Sequence, residues 1–578
     1  MIFKISKIFK EKDFLKFKII LLLNFLTFFL EFISLASIPV FVGTIIDSTT
    51  SLSKFEKYGI FYFSQINNES LIKYLGLIII SIFILKNTFY FILIYIQGKF
   101  VKNMKVKLSK ELLNYYVMSP FSYHMQNNPA KLTRNSIDSL EGLSQFILQG
   151  INLFKESLAI LVIFFLLVFI NPIITISITL VFSVLGYVYL KKIRPSIKKK
   201  AELNENLKVD LIQMVNESFG AIKDIKILNK EKDILEYYDK SRNKLEKNLF
   251  YFTVFDKTPK LLLESVAIFL ITISTVIVLH FNKDFLALLP VLSLIVIAIV
   301  RFIPAFNGII TSLFYLRILQ PSAEIILKEI DKIENFKRKS SQIQKYTLDE
   351  NLNTNINKNL ISLKDISFSY GDNQKDILKN INLSIEKGTI VGITGETGAG
   401  KSTLFHIMLG LLTPKSGNIF YKDKNIHKNM ETWRNQIGYI AQNIYLLDNT
   451  IEKNISFNFL DEKIDEERMD FSIKMSCLDE KISELPNGLK TKVGNDGVRL
   501  SGGEKQRIAL ARSIYRNPNI FFMDESTSAL DLDTEQRIIK NMKENFSKKT
   551  IILIAHRKTT IDECDKIINL KNGHISLN

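Results

Sequence analysis

The sequence predicts a membrane α-helical domain of about six transmembrane helices, followed by an α/β domain built on a phosphate-binding P-loop. Three observations carry this. Six nearly uncharged apolar runs lie before about residue 320, a glycine-rich loop at 395–403 follows a buried strand, and a four-residue apolar run ends in Asp524 and Glu525. At 578 residues, 47% of them hydrophobic, the chain exceeds what one core holds and splits into two domains or more.

The elements follow in order. Residues 1–18 are Lys-rich and lead into an apolar run too long for a signal h-region, with no small-residue cleavage pattern behind it; they read as a cytoplasmic N-terminal segment whose following span stays in the membrane. The transmembrane domain, 19–330, holds the runs 19–29, 71–85, 157–170, 173–190, 261–279 and 286–300, each approaching the roughly 20 residues that cross a bilayer as a helix. Lysine crowds the N-terminus and the connections 99–134 and 191–260, whereas the turns at Asn171-Pro172 and at Asn282-Lys283-Asp284 carry little of it. The positive-inside rule therefore places the N-terminus, both long connections and everything after the sixth span in the cytoplasm. That accounts for much of the net charge of +18. No basic patch with interleaved aromatics stands out, so no nucleic-acid partner is expected; attraction to anionic lipid explains the excess. The two cysteines, Cys477 and Cys564, both fall on the cytoplasmic side and predict neither a structural disulfide nor a metal site.

Residues 331–360 turn to Lys, Ser, Gln and Asn and read as a linker. From 361 to 578 the texture is that of a soluble α/β domain: 361–370 and 381–385 alternate as strands, 389–394 is a buried strand, and a helix follows Lys401.

Gly395-Glu396-Thr397-Gly398-Ala399-Gly400-Lys401-Ser402-Thr403 fits G-x-x-x-x-G-K-[ST] in the strand-to-helix context the pattern needs. Glycines let backbone N–H groups converge on phosphate oxygens, and the helix N-terminus adds its dipole. Lys401 reaches the β/γ-phosphates, and the Ser402 hydroxyl ligates Mg²⁺. The acidic half is Ile520-Phe521-Phe522-Met523-Asp524-Glu525, a central strand presenting acids at the nucleotide. Asp524 is expected in the Mg²⁺ shell, and Glu525 as the general base that polarises the attacking water. ATP and Mg²⁺ are thus the expected ligands.

Leu500-Ser501-Gly502-Gly503-Glu504, continued by Lys505-Gln506-Arg507, resembles the signature of ATP-binding-cassette transporters, and the rest of the cassette pattern stands in order from 361 to the C-terminus. The resemblance implies that Tyr370 stacks on adenine and that Gln442, in Tyr439-Ile440-Ala441-Gln442, senses the γ-phosphate and joins Ser402 and Asp524 around Mg²⁺. It further implies that Ser528-Ala529-Leu530-Asp531 is the D-loop and His556 the catalytic switch histidine at the γ-phosphate. In this family two cassettes face head to tail, so Ser501, Gly502 and Gly503 meet the nucleotide held by the partner's loop. One cassette and about six spans then make a half-transporter, expected as a homodimer, with a heterodimer the alternative.

A membrane domain fused ahead of the cassette resembles the type I exporter class. Within it, 119–138 and 216–229 are similar to the exporter segments that dock on cassettes, and Asp496 matches the place of the cross-talk loop. The charges Glu31, Lys86, Glu264 and Arg301 interrupt apolar runs; buried in a bilayer, such groups cost several kcal/mol unless paired or hydrated, so they face a cavity, pair internally or snorkel to the interface. The pieces around 30–39, Lys86, 259–264 and 300–312 resemble bacterial flippases for lipid-linked oligosaccharides of the PglK type. In that resemblance 53–64 is a short external helix against a polyprenyl tail, and Glu31, Lys86 and Arg301 line the path of an amphiphilic lipid-linked substrate across the bacterial plasma membrane. A multidrug, lipid A or peptide exporter is the alternative, and a soluble regulatory ATPase the rival from another class.

Overall fold

The computed structural model describes residues 11–46, 68–170, 172–281, 285–346, 359–371, 375–460, 462–525, 529–555 and 557–577. The chain divides into two compact units, Met1–Ser119 with Gln126–Ser340, and Pro120–Met125 with Ser341–Asn578.

The first unit is all helix: α1 Glu11–Ile46, α2 Asn68–Met118, α3 Leu140–Ile170, α4 Pro172–Gly220, α5 Glu231–Phe281 and α6 Phe285–Tyr346. Each apolar run of the sequence sits inside one of these helices. Four stretches among the described residues are long and apolar enough to cross a membrane: 11–45, 69–118, 129–168 and 302–338. Their outward faces are apolar, as with Leu22 at 67% exposure and Phe91 at 72%, which is the pattern of helices solvated by lipid. α1 packs on α2 and α3, and α4 on α5. Between α1 and α2 the buried Gln97 donates to the Asn24 Oδ1 at 3.3 Å, a polar tie of the kind apolar helices use when lipid offers no hydrophobic drive between them. The apolar core gathers Leu35, Val162, Phe182, Leu263 and Phe302, with the Phe182 and Phe302 rings 5.3 Å apart.

At the Lys-rich end of the helices the core becomes polar. Arg134 and Glu205 are buried at 4% and 6% exposure and form an ion pair at 4.0 Å. Arg134 also donates to the Glu205 carbonyl at 3.0 Å and to the Asn135 Oδ1 at 2.7 Å. Ser322 on α6 donates to Glu205 at 2.9 Å and Ser139 at 3.3 Å, so one carboxylate joins α4, α6 and the π-helical turn Asn135–Ser139. The sequence reads as a linker from 331, yet α6 continues to Tyr346. Lys, Glu and Gln lose little rotamer freedom in a helix, and Ile333 is buried, which keeps the polar stretch helical.

The second unit carries β1 Asn359–Phe368, β2 Leu378–Glu386, β3 Ile390–Gly395, α7 Lys401–Met408, β4 Ser416–Tyr421, β5 Lys424–Asn425, β6 Ile437–Ile440, α8 Gly502–Tyr515, β7 Ile520–Asp524, α9 Leu532–Asn545, β8 Thr550–Ile554, β9 Lys566–Lys571 and β10 His574–Leu577. An antiparallel sheet runs β2-β1-β4-β5, and a second sheet runs β10-β9-β3-β8-β7-β6. In the latter β6, β7, β8, β3 and β9 are parallel. Every residue of β7 and β8 is buried, as the unbroken apolar runs of a strand covered on both faces require. Phe405 of α7, the single Trp433 and Phe522 of β7 form an aromatic cluster, and the Trp433 Nε1 donates to the Met408 carbonyl at 3.1 Å.

Removing Glu205 strands a buried guanidinium, so Glu205→Ala is expected to destabilise the first unit by about 3–5 kcal/mol. A thermal melt of the detergent-solubilised protein checks this, with Arg134→Met/Glu205→Leu expected to recover most of the loss; unchanged melting in Glu205→Ala overturns it.

Candidate functional site

The site is built at the C-terminal edge of the parallel strands, where open α/β sheets bind ligands. β3 ends at Gly395 with φ +146°, and a Cβ there would meet the Leu570 carbonyl oxygen at 2.2 Å; only glycine lets the chain leave the strand so close to β9. The loop then turns through Gly398 at φ +83°, around whose Cβ position nothing lies within 4 Å. That turn leaves an open backbone cradle. Gly400 caps α7, whose first residues are Lys401, buried, Ser402, exposed, and Thr403, buried. The Lys401 ammonium lies across the loop, donating to the Gly395 and Glu396 carbonyls at 2.8 and 3.0 Å. Thr397 and Ala399 complete the turn, with the Ala399 N–H donating to the Glu396 carbonyl at 3.1 Å.

Across from this loop β7 delivers Asp524, 6% exposed. Glu525 follows in the left-handed region at φ +46°, a conformation that costs a non-glycine residue and clusters at functional sites. The Gln442 Nε2 donates to the Glu525 Oε2 at 2.6 Å, so two residues far apart in the chain share one hydrogen bond. Tyr439, just before Gln442 on β6, has its phenol pushed up to about 12 by burial and by the Asp524 charge. Tyr370, 42% exposed, packs edge-on against Phe368, and its hydroxyl is 3.2 Å from the Thr403 Oγ1. The aromatic and the phosphate loop are thereby tied together.

Ser501 N-caps α8 in a reciprocal capping box. Its Oγ accepts from the Glu504 N–H at 3.3 Å, and the Glu504 carboxylate accepts from the Ser501 N–H at 2.7 Å. Gly502 and Gly503 open the helix against Ala529. Glu504 also pairs with Lys481 at 3.1 Å. Burial works against its charge, but the Ser501 N–H and Lys481 outweigh it and hold the carboxyl below its ordinary value. One turn on, the Gln506 Oε1 accepts from the Ala529 N–H at 3.1 Å, which joins the Ser-Gly-Gly helix to the chain at 529–531. Asp531 caps α9.

The residue set fits a nucleotide with Mg²⁺. The cradle at Gly398, the lysine over the loop and the exposed Ser402 suit phosphate oxygens, while Asp524 and the Gln442 amide supply the oxygen donors that a hard cation takes. His556 and Ser528 lie outside the described residues, as does the segment 53–64.

In the first unit Lys86 of α2 lies over the Phe83 ring at 4.7 Å, Glu31 of α1 is half-buried, and Glu264 pairs with Lys260 at 3.8 Å. Arg301 stands on α6, and its side chain lies outside the described residues. A charge pair that the sequence reading passes over is Lys155–Glu156, 2.7 Å apart on α3, where Lys155 also donates to the Tyr90 hydroxyl at 2.6 Å and Glu156 packs against Gly308. It abuts the third apolar run without interrupting it, so no break in the run marks it. Gln506 and Tyr439 are missed because their partners are set by the sheet and not by local pattern.

Residues 378–528 match the family model described as ABC transporter, and residues 20–300 the model described as ABC transporter transmembrane region. The leukotoxin translocation ATP-binding protein LktB of Mannheimia haemolytica is 39% identical over 219 residues, 38% of this chain and 31% of that protein. The protein of the same name from Bibersteinia trehalosi is 39% identical over 216 residues, 37% of this chain and 30% of its own length. The match thus spans about a third of the length of these curated relatives. Among solved structures, a bacterial Atm1-family ABC exporter with ATP bound has a TM-score of 0.74 at 18% identity, covering 96% of this chain and 93% of that one. At that identity the likeness is one of fold.

The capping box has a measurable signature. Glu504→Ala is expected to cost about 1 kcal/mol, seen as a lower melting temperature of the solubilised protein at neutral pH. Because the folded-state pKa of Glu504 is depressed, its contribution is complete above the ordinary value of 4.5 and is lost as pH falls through the folded value. The difference between wild type and Glu504→Ala should therefore close on acidification; a difference independent of pH refutes the assignment.

Proposed function

The chain belongs to the ABC transporters, a helical transmembrane domain fused ahead of an ATP-binding cassette in the exporter layout, and on that premise we propose that it is a half-transporter. Two copies, as a homodimer, hydrolyse ATP to move a lipid-linked glycan or related lipid outward across the bacterial plasma membrane, with the cassettes in the cytoplasm. The domain division of this reading is 19–330 for the membrane part and 361–578 for the cassette, joined through 331–360.

The observation that carries the enzymatic part is the Gln442–Glu525 hydrogen bond of 2.6 Å at the strand edge that faces the phosphate loop. Glu525, at the end of a buried strand, takes the proton of the attacking water. The backbone of 395–400 and Lys401 hold the β- and γ-phosphates, and Tyr370 receives the adenine. Ser402, Asp524 and Gln442 would hold Mg²⁺, which would offset the negative charge of the phosphate oxygens. Because Gln442 bonds the base directly, release of that hydrogen bond frees the Glu525 carboxylate for water. His556 contacts the γ-phosphate. Ser501, Gly502 and Gly503, at the N-terminus of the 14-residue helix α8, bind the γ-phosphate on the partner's phosphate loop through N–H groups and helix dipole. ATP then lies in the dimer interface, and hydrolysis opens it.

The cargo reading rests on the intramembrane charges. Lys86 and Arg301 attract a pyrophosphate, with Glu31 on the same path, while the apolar outer faces of the helices admit the lipid tail laterally.

Glu525→Gln is expected to lower kcat for ATP by at least ~10²-fold while ATP binding persists and a closed dimer accumulates, followed by ATPase assay and cross-linking; hydrolysis at the wild-type rate overturns the base assignment. For the cargo, ATPase activity in proteoliposomes should rise with lipid-linked oligosaccharide and not with a panel of cationic drugs. Stimulation by drugs alone replaces the lipid reading with the multidrug one.

A further inference from the structure

α4 leaves the apolar run 173–190 through a stretch, 191–200, crowded with Lys and Arg. Its lysines have different surroundings. Lys191 lies over the Tyr187 ring at 5.7 Å, and Lys200 turns to α5, where it lies over the Tyr251 ring at 4.0 Å and donates to the Asn248 Oδ1 at 3.4 Å. Lys198 and Lys199 instead line a pocket of about 420 Å³ between α4 and α6, completed by Pro195, Glu202 and Arg317. That volume falls inside the roughly 300–1,000 Å³ of small-ligand sites. Three cations, Lys198, Lys199 and Arg317, stand there against one carboxylate, Glu202. Glu202 pairs with Lys198 at 3.7 Å, one turn away, with both side chains more than half exposed; water screens such a pair, so Lys198 turns to another anion at little cost. Lys199 has no ion-pair partner among the described residues. Pro195, inside α4, supplies a short ring and no N–H donor, so recognition falls to the charged side chains.

We propose that this pocket binds the phosphate of an anionic phospholipid, a phosphodiester headgroup of the phosphatidylglycerol class, and thereby ties α4 to α6 at the border of the bilayer. The planar fork of Arg317 matches two phosphate oxygens, and the lysines add point charges. Glu202 leaves the positive charge in excess, and its carboxylate accepts from the hydroxyls that such a headgroup carries. The direction of the side chains supports a lipid as the source of the phosphate. On both helices an apolar run, 173–190 or 286–300, precedes the pocket residues, and Cα–Cβ bonds tilt toward a helix's N-terminus. Lys198, Lys199 and Arg317 therefore lean back toward the membrane, as snorkelling cations do. Tyr187 and Tyr189 close the first run, where amphipathic rings mark the headgroup level. Lys198 follows Tyr189 by about 14 Å along the helix, a gap shared between a lysine leaning back and a headgroup reaching out. At about 100° per residue, Leu180 lies on the face of α4 that carries Lys198, and Val188 on the face that carries Lys199. Both are exposed, so the same face offers apolar surface to the acyl chains above the pocket. The site needs only the border of the apolar zone and is independent of the cargo reading.

The test titrates the full-length protein in neutral detergent with dioctanoyl-phosphatidylglycerol, short enough to be free in solution, and reads the melting temperature. Dioctanoyl-phosphatidylcholine and inorganic phosphate are titrated beside it. Phosphatidylglycerol is expected to raise the melting temperature saturably, less so at high salt, and to act more strongly than either of the other two. Lys199→Gln/Arg317→Gln, which keeps the Lys198–Glu202 pair, should weaken the Kd by ~10-fold or more, since each cation beside an anionic lipid is worth about fivefold in affinity. Lys191→Gln/Lys192→Gln removes two charges from the same basic stretch outside the pocket and should leave the Kd within about twofold of wild type, because a monomeric lipid reads the pocket and not a diffuse surface field. No shift with phosphatidylglycerol, an equal shift with phosphatidylcholine, or equal weakening in the two double variants overturns the site. An equal shift with inorganic phosphate at the same concentration overturns the lipid assignment. Should Lys199→Gln/Arg317→Gln fail to fold, Lys199→Gln alone carries the test, with a weakening of about fivefold expected and an unchanged Kd overturning the proposal.

Discussion

Parallel pairing of β3, β8 and β7 is the constraint from which the catalytic unit follows. In register, Ile390 faces Ile551 and Ile551 faces Phe521, so Gly395 and Asp524 finish at the same edge of the sheet. Neither the loop nor the acid chooses its position; the loop is carried there by β3, buried at its centre, and the acid by β7, buried at every residue. The unbroken apolar runs 520–523 of β7 and 551–554 of β8 permit only a two-sided cover, and that cover is helix: α7 through Phe405 on one side, α9 through Ile538 and Met542 on the other. Once the edge exists, the remaining groups arrive on elements fixed to it, with Gln442 after β6 and Arg557 after β8.

Both units solve the same electrostatic problem in the same way. Each buries an ion-paired carboxylate, Glu205 in the helical unit and Glu535 in the cassette, and each neutralises it with an arginine, Arg134 or Arg557, plus side-chain hydroxyls. Such a group stabilises little in net terms, because desolvation consumes most of the Coulombic gain. Its effect is on specificity of arrangement: few geometries satisfy a buried carboxylate, so the helices and loops that satisfy it are held in one relative placement. Glu205 does this where three helical elements meet, and Glu535 where two loops flank the acidic strand edge.

Legibility in the sequence tracks how local each determinant is. The phosphate loop, the capping box of Ser501 and Glu504, and the acid at the end of β7 are all written in contiguous residues, because strand, turn and helix start are decided by neighbours. The strand boundaries expected for 361–370 and 389–394 differ from β1 and β3 by one or two residues, the usual reach of end effects. The Gln442–Glu525 bond joins residues 83 apart, Arg134 finds Glu205 across 71, and Glu205 finds Ser322 across 117. Their presence is visible in the sequence and their partners are not, since Arg134 and Glu205 sit among many solvent-facing Lys and Glu residues of the same composition. The extension of α6 to Tyr346 is missed for the opposite reason: its polar face carries no periodic signal, although its residues are good helix formers.

The helices that cross the apolar zone do not stop at its border. α4 runs 49 residues and α5 51 without a break, roughly 75 Å at 1.5 Å per residue, against a hydrocarbon core of about 30 Å. Lipid-facing residues such as Val184 and the buried Glu205 therefore lie on one continuous screw. Their angular phase is set by counting residues, at about 100° per step, and no loop between them can absorb an error. One inserted residue anywhere from 191 to 204 would turn the carboxylate by roughly a quarter of a circle away from Arg134 while leaving the membrane face as it was. Span and foot are thus a single geared shaft, in which the allowed changes of length come in sevens or elevens rather than ones.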